Sequence, residues 1–319
     1  MFALMITGCV RAEHVAGGGP VTPLMVYGST ETLEIAPVLL AARDHYPQGA
    51  VVRKGGIGNL VGAAPVAALG GDGGVADVAT HAETQALRYS VTNPEIRIIL
   101  VVTEGRYRIV ARRSAGIASL ADLKGKRVAT LATTSAGFFL ARMLEQAKLT
   151  FADITPVRIS PIDGLAASLT RGEVDAVAIW EPHGGNAAQP LGADAIEFAG
   201  DGVYRELFNL NTTAANLVDP DKRRRIVAFV RAVMDATQAI HRDSGEAQAL
   251  VAATSGFSAD EVSRSWPTLH FPAALPSDLI DTLVAEEAWL AAQDRRTPRS
   301  REALARLIDA SVYEEARRR

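Results

Sequence analysis

Short apolar runs bounded by glycine and polar turn residues alternate with stretches of helical spacing from residue 24 to about residue 200, which predicts strand, turn and helix in repetition. Strands are expected at 24–27, 50–53, 75–79 and 96–102, with a helix over 32–43. The glycine-rich stretch 55–62 leads into an alanine-rich helix. Residues 96–102 read Ile-Arg-Ile-Ile-Leu-Val-Val, nearly continuous in apolar side chains, as a strand covered on both faces should be. Residues 107–111 alternate and predict a crossing strand. A second unit follows, with strands at 127–131, 157–160 and 174–179. Between them lie a helix over 135–147, burying Phe138, Phe139, Leu140, Met143 and Leu144, and one opened by Pro161 and ended by Gly172. Beyond residue 200 the pattern turns to helices at 220–241, 259–265, 277–293 and 300–316.

This pattern is α/β, with mostly parallel sheets flanked by helices. At 319 residues and 48% hydrophobic, the chain can fill two cores. The expected division is a tail and tether over 1–20, one lobe from 21–110 with 205–319, and a second over 111–204. Two crossings, near 110–113 and 200–208, join the lobes.

A formal charge of -3 gives no general attraction to nucleic acid, and the basic run Lys222 to Arg225 reads as the solvated start of a helix behind Asp219-Pro220. The single cysteine, Cys9, excludes an intramolecular disulfide and a thiolate metal cluster. Its setting, Leu4-Met5-Ile6-Thr7-Gly8-Cys9, resembles a bacterial lipobox. Only eight residues precede it and none is basic, so lipidation there requires translation to begin upstream; the alternative is a chance cysteine in a tail. No other run reaches the roughly 18 apolar residues of a membrane span.

In open parallel sheets ligands gather beyond the carboxyl ends of the strands, where side chains project past the last ladder bond. That rule selects Ser29, Thr30 and Glu31, then Gly55, Gly56 and Asn59, then Thr80, His81 and Glu83, then Thr103 and Glu104. In the second unit it selects Thr133, Thr134 and Ser135, and Trp180, Glu181 and His183. Such a cleft can hydrogen-bond and stack. Thr133-Thr134-Ser135 offers an anion hydroxyls and free N–H groups at a helix start, although plain capping by Ser135 is the more ordinary explanation of these residues taken alone. Gly56, Gly58 and Gly62 miss the dinucleotide spacing by one residue, and Gly125-Lys126 lacks the rest of a phosphate loop. The histidines at 14, 45, 81, 183, 241 and 270 have no paired local spacing, so neither a metal nor a cofactor is expected; His81 and His183 read as polar contacts.

The phrases Ser119 to Val128 and Asp175 to His183, in that order, resemble the periplasmic solute-binding proteins of ABC importers for nitrate, sulfonates and taurine, over about residues 24–243. The resemblance implies the two-lobed type II periplasmic-binding-protein fold with two hinge crossings. It turns Thr133 to Ser135 and the Trp180-Glu181-Pro182 segment toward the cleft, and through Tyr204 to Leu210 it brings Phe208 and Asn209 there. It further implies a monomeric extracytoplasmic receptor, held to the membrane at most by a lipid on Cys9, that passes a small organic solute to a permease and its ATPase. The alternative is an enzyme of the same scaffold acting on a small heterocycle or sulfur compound. The tail position of Cys9 removes its thiol route, and about 20 residues before the first strand are too few for a DNA-reading helix pair. Glu31, Glu83, Glu104 and Glu181 favour a taurine-like zwitterion or neutral heterocycle over nitrate or sulfate. Trp180→Ala is expected to weaken binding with the fold intact.

Overall fold

The computed structural model describes residues 22–63 and 71–318. Cys9, the tether and the alanine-rich helix expected after Gly62 fall outside the described residues. Within them, the strands are β1 (Leu24–Gly28), β2 (Ala50–Lys54), β3 (Val78–Ala82), β4 (Ile96–Gly105), β5 (Tyr107–Arg112), β6 (Arg127–Ala129), β7 (Thr155–Val157), β8 (Ala176–Trp180), β9 (Ala195–Ala199), β10 (Glu206–Thr213) and β11 (Leu269–His270). They form a sheet of order β11-β4-β10-β3-β1-β2 and a second of order β7-β6-β8-β5-β9.

Both sheets are mixed, not mostly parallel. β1 pairs in parallel with β2 and β3, and β6 with β7 and β8, as strand–helix–strand units require. The crossing strands run the other way: β10 inserts antiparallel between β3 and β4, and β5 lies antiparallel between β8 and β9. The first crossing is therefore at Arg106, between β4 and β5, and not at 110–113. Residues 107–110 pair with the second sheet, ahead of the expected boundary. The return passage occupies 200–205. The two passages touch, through Gly200 N–H donating to the Tyr107 carbonyl at 3.0 Å and an Arg106–Asp201 ion pair at 3.1 Å.

Each sheet is covered by apolar helix faces. The helix Pro220–Arg242 begins with Asp219 accepting from the N–H groups of Asp221 and Lys222, and buries Ile226, Phe229, Val230, Val233 and Ile240 at helical spacing. Those residues pack on Val26, Ile99 and Val102. β4 turns Ile96, Ile98 and Val101 to the opposite face, against Leu87, Leu283 and Leu290. The second sheet has its own core, in which Ile109 and Val177 meet Phe139 and Leu144. Fully burying side chains of this size contributes about 1.5–3 kcal/mol each.

Several elements differ from expectation. The helix expected over 32–43 runs without a break over Leu33–His45, but its pitch changes along it, tight over Leu33–Ile35, α over Ala36–Leu40 and wider over Ala41–His45. The helix expected over 300–316 breaks into Arg301–Ala305 and Ala310–Arg317, because Leu307 and Asp309 bond the backbone of Ile98 at 2.6 and 2.9 Å. The helix Gly245–Ser255 and strands β9 and β10 had no local signal strong enough to predict them.

Candidate functional site

The carboxyl ends of β1, β3 and β8 and the glycine turn after β2 face one another across a cavity of ≈ 800 Å³. Ser29, Thr30, Glu31, Gly56, Asn59 and His81 line it from the first sheet, Trp180 and His183 from the second. Pro161, Ile162 and Asp163 complete the second side. Phe257 follows Gly256, which ends the helix Gly245–Ser255 with φ +84°, a left-handed turn suited to glycine. Its ring packs edge-on against His183, with centroids 5.5 Å apart. Asn186 Nδ2 donates to Glu261 Oε1 at 2.6 Å, tying the helix His183–Ala188 to the helix Ala259–Ser265 across the cavity mouth.

A narrower chamber of ≈ 30 Å³ continues inward, sharing Ser29, Thr32, His81 and Trp180 with the cavity. Thr134, Ser135 and Phe208 reach it, beside Glu34, Gln85, Tyr107 and Glu206. Trp180 is both core and wall: it is 6% exposed, packs 5.9 Å from Tyr107 and 6.3 Å from His183, and its Nε1–H has no partner. Such a residue cannot be truncated with the fold unaffected, which corrects the expectation for Trp180→Ala.

Other candidates point elsewhere. Glu83 accepts from the Tyr204 hydroxyl at 2.7 Å and the Leu207 N–H at 2.9 Å, in the interior behind β3. Glu104 is taken up by Arg205 at 3.1 Å and His270 at 3.2 Å near the crossings. Glu181 is buried, ion-paired to Arg108 at 2.5 Å, and accepts from the Gly185 N–H at 3.0 Å, so its charge stabilises the β5–β8 corner and does not line the cavity. Thr103 donates to the Glu34 carbonyl at 2.7 Å. Thr80 is buried against Gly28, where a Cβ would stand 2.3 Å from its hydroxyl. Asn209 is buried in β10 between β3 and β4, with both amide atoms unpartnered, and lines neither space. Thr133 is exposed and uses its carbonyl to accept from Gln85.

The helix start near residue 135 is a cap more than an anion seat. Thr134, not Ser135, is the N-cap, accepting from the Ala136 N–H at 3.2 Å, while the Ser135 hydroxyl bonds the Tyr107 hydroxyl at 2.8 Å. The turn is held tightly: a Cβ on Gly137 would stand 2.4 Å from the Ala132 carbonyl oxygen and 2.6 Å from its carbon. Backbone cannot yield as a side chain can. Gly137→Ala is expected to lower stability by about 1–3 kcal/mol and to displace Thr134 and Ser135 from the chamber. Urea unfolding checks this, and an unchanged midpoint would contradict the packing described.

Burial sets the protonation of the site. It lowers His81 to about 4 and lowers His183 as well, so both rings are neutral near pH 7. Burial also raises Glu34 to about 7, and raises Glu206 well above the usual carboxyl value, with Glu34 and Glu83 adding to it. Lys54 lines the cavity but is paired with Glu31 at 2.5 Å. Among the described residues no group of three or more His, Cys, Asp or Glu could hold a metal ion. The sequence reading missed Phe257, Asn186, Glu261, Glu34 and Glu206. Only Glu206 stood in a segment already singled out, and nothing local distinguished it.

The family model described as NMT1/THI5 like matches residues 69–247. The "Putative aliphatic sulfonates-binding protein" of Escherichia coli (strain K12) is 43% identical over 75 residues, which is 24% of this chain and 23% of that protein. The aligned stretch thus spans under a quarter of the curated relative. The solved alkanesulfonate-binding protein SsuA from Xanthomonas axonopodis pv. citri, bound to MOPS, superposes with a TM-score of 0.66 at 20% identity, covering 92% of this chain and 99% of that one. The desulfurization enzyme DSZB superposes at 0.63 with 16% identity, covering 92% and 99%. At these identities both likenesses concern the fold, which is the two-lobed α/β arrangement of periplasmic binding proteins.

Proposed function

Because the chain belongs to the NMT1/THI5 like family, we propose that it is an extracytoplasmic solute-binding receptor of an ABC importer. It traps a small organic solute between its two sheets and passes it unaltered to a permease and its ATPase. The observation that carries this reading is the ≈ 800 Å³ cavity lined from both sheets beside two adjoining single-chain passages. A space of that size suits an organic molecule better than nitrate or sulfate. Its wall pairs the rings of Trp180, His183 and Phe257 with hydroxyls and amides. The lobes proposed are 22–105 with 206–318, and 107–199, closing about Arg106 and 200–205. The protein acts as a monomer, tethered outside the cytoplasm by a lipid on Cys9.

The enzyme alternative draws on the likeness to DSZB, but the chain has one cysteine, at position 9 in the sequence, and none of the described residues lining the cavity is a cysteine. Binding without chemistry accounts for the site with fewer assumptions. Mass spectrometry of what the purified protein releases on denaturation is expected to find a small polar organic compound, the same one that raises its melting temperature when added back. Conversion of that compound into another species by the protein would overturn the receptor reading.

A further inference from the structure

We propose that the inner chamber receives a positively charged nitrogen, an ammonium group, at one end of the solute, held between Glu34 and Glu206. The inference rests on the receptor reading and adds which end of the solute enters first and by what chemistry.

The two carboxyls converge on one point although Glu34 follows β1 and Glu206 begins β10. A Cβ built on Gly105 would stand 3.0 Å from Glu206 Oε2 and 3.3 Å from Glu34 Oε1. Both side chains are buried, at 2% and 5% exposure, and Oε2 of each has no hydrogen-bond partner. Burying an acceptor in this state is unfavourable unless a donor arrives. A separate observation points the same way. His81, 7% exposed, lines both the cavity and the chamber with neither ring nitrogen partnered, so its neutral ring offers one further acceptor, while the unpartnered Trp180 Nε1–H is a donor left for an acceptor elsewhere on the solute. The chamber lining contains neither lysine nor arginine. At ≈ 30 Å³ it has room for about one water-sized group, which an ammonium matches and a sulfonate exceeds. Burial pushes Glu34 up to about 7 and Glu206 well above its usual range, as happens to carboxyls without a cation to hold them ionised. A donor-only cation satisfies both acceptors at once.

The test is calorimetric titration of the protein with 3-aminopropanesulfonate, propylammonium and propanesulfonate, repeated on Glu206→Gln and Glu34→Gln after circular dichroism shows each variant folded. Wild type is expected to bind the two amines at least tenfold more tightly than propanesulfonate, a difference of about 1.4 kcal/mol. Each variant is expected to lose most of that preference. Propanesulfonate binding as tightly as its amino analogue, no binding of either amine at millimolar concentration, or a preference unchanged in two folded variants would each overturn the chamber assignment. A solute released on denaturation that lacks a basic nitrogen would also overturn it while leaving the receptor reading in place. The receptor reading fails separately, by turnover or by the absence of any bound or stabilising compound.

Discussion

Trp180→Ala is expected to weaken solute binding at least tenfold, about 1.4 kcal/mol or more, and to destabilise the fold by roughly 3–5 kcal/mol at the same time. Both effects have one origin. The indole ends β8, packs on Tyr107 and His183, and forms wall in the cavity and the chamber together. Truncation opens a void in the second core and removes the aromatic wall against which, in the proposed receptor, the solute would stack. Trp180→Phe separates the two contributions, since it retains most of the buried ring and loses the unpartnered Nε1–H. Affinity by calorimetry and stability by urea unfolding should then diverge, with Phe recovering more stability than affinity. Wild-type affinity in the alanine variant would remove Trp180 from the site.

Stability is expected to fall as pH rises above about 6.5, opposite to the common trend for a protein with salt-bridged carboxylates. Glu206 and Glu286 have folded-state values raised well above the usual 4.5, through burial first and then neighbouring carboxyls, and burial raises Glu34 to about 7. A raised carboxyl contributes stability that is complete below its unfolded value and lost as pH climbs through the folded one. Near pH 6.5 the unfolded imidazoles of His81 and His183 still titrate and offset part of the fall, and well above it both rings are neutral whether the chain is folded or not. A carboxyl that stays protonated in the native chain while ionised in the unfolded one lowers stability as pH rises, and Glu206 and Glu286 act in the same direction.

The acid limb has the other sign. Against the upward push of burial, hydrogen bonds from Arg296 and Arg299 hold Glu287 down to about 2, so its contribution is present above 4.5 and lost as pH falls toward 2. The neutral form of His81, favoured by burial, is lost as pH falls from 6.5 through about 4. Urea unfolding from about pH 6.5 to pH 8 measures the alkaline slope, which Glu286→Gln should reduce. A flat or rising profile would contradict the protonated carboxyls.

Much of the fold was legible along the chain because burial on a strand or helix is a local, periodic property. β4 announced itself by a run of apolar residues, Pro220–Arg242 by an Asp-Pro start and helical spacing, and Trp180 by its place at the end of an apolar strand. Strand ends likewise brought Ser29, Gly56, His81 and His183 to the cavity, as the rule for open sheets anticipates.

What the linear sequence determined by itself was the kind of most long elements and some of the residues that reach the cavity from strand ends. Tertiary structure alone decided which carboxylates meet. Glu83 and Glu104 looked like cleft residues and find their partners elsewhere, whereas Glu34 and Glu206 carried no local mark and share a chamber. The difference comes from pairing: β10 runs antiparallel beside β4 with Glu206 opposite Gly105, and that register brings together side chains from distant parts of the chain. Periodicity records how deeply a residue is buried, but a charge's neighbours depend on strand order and register, which no short stretch of sequence contains.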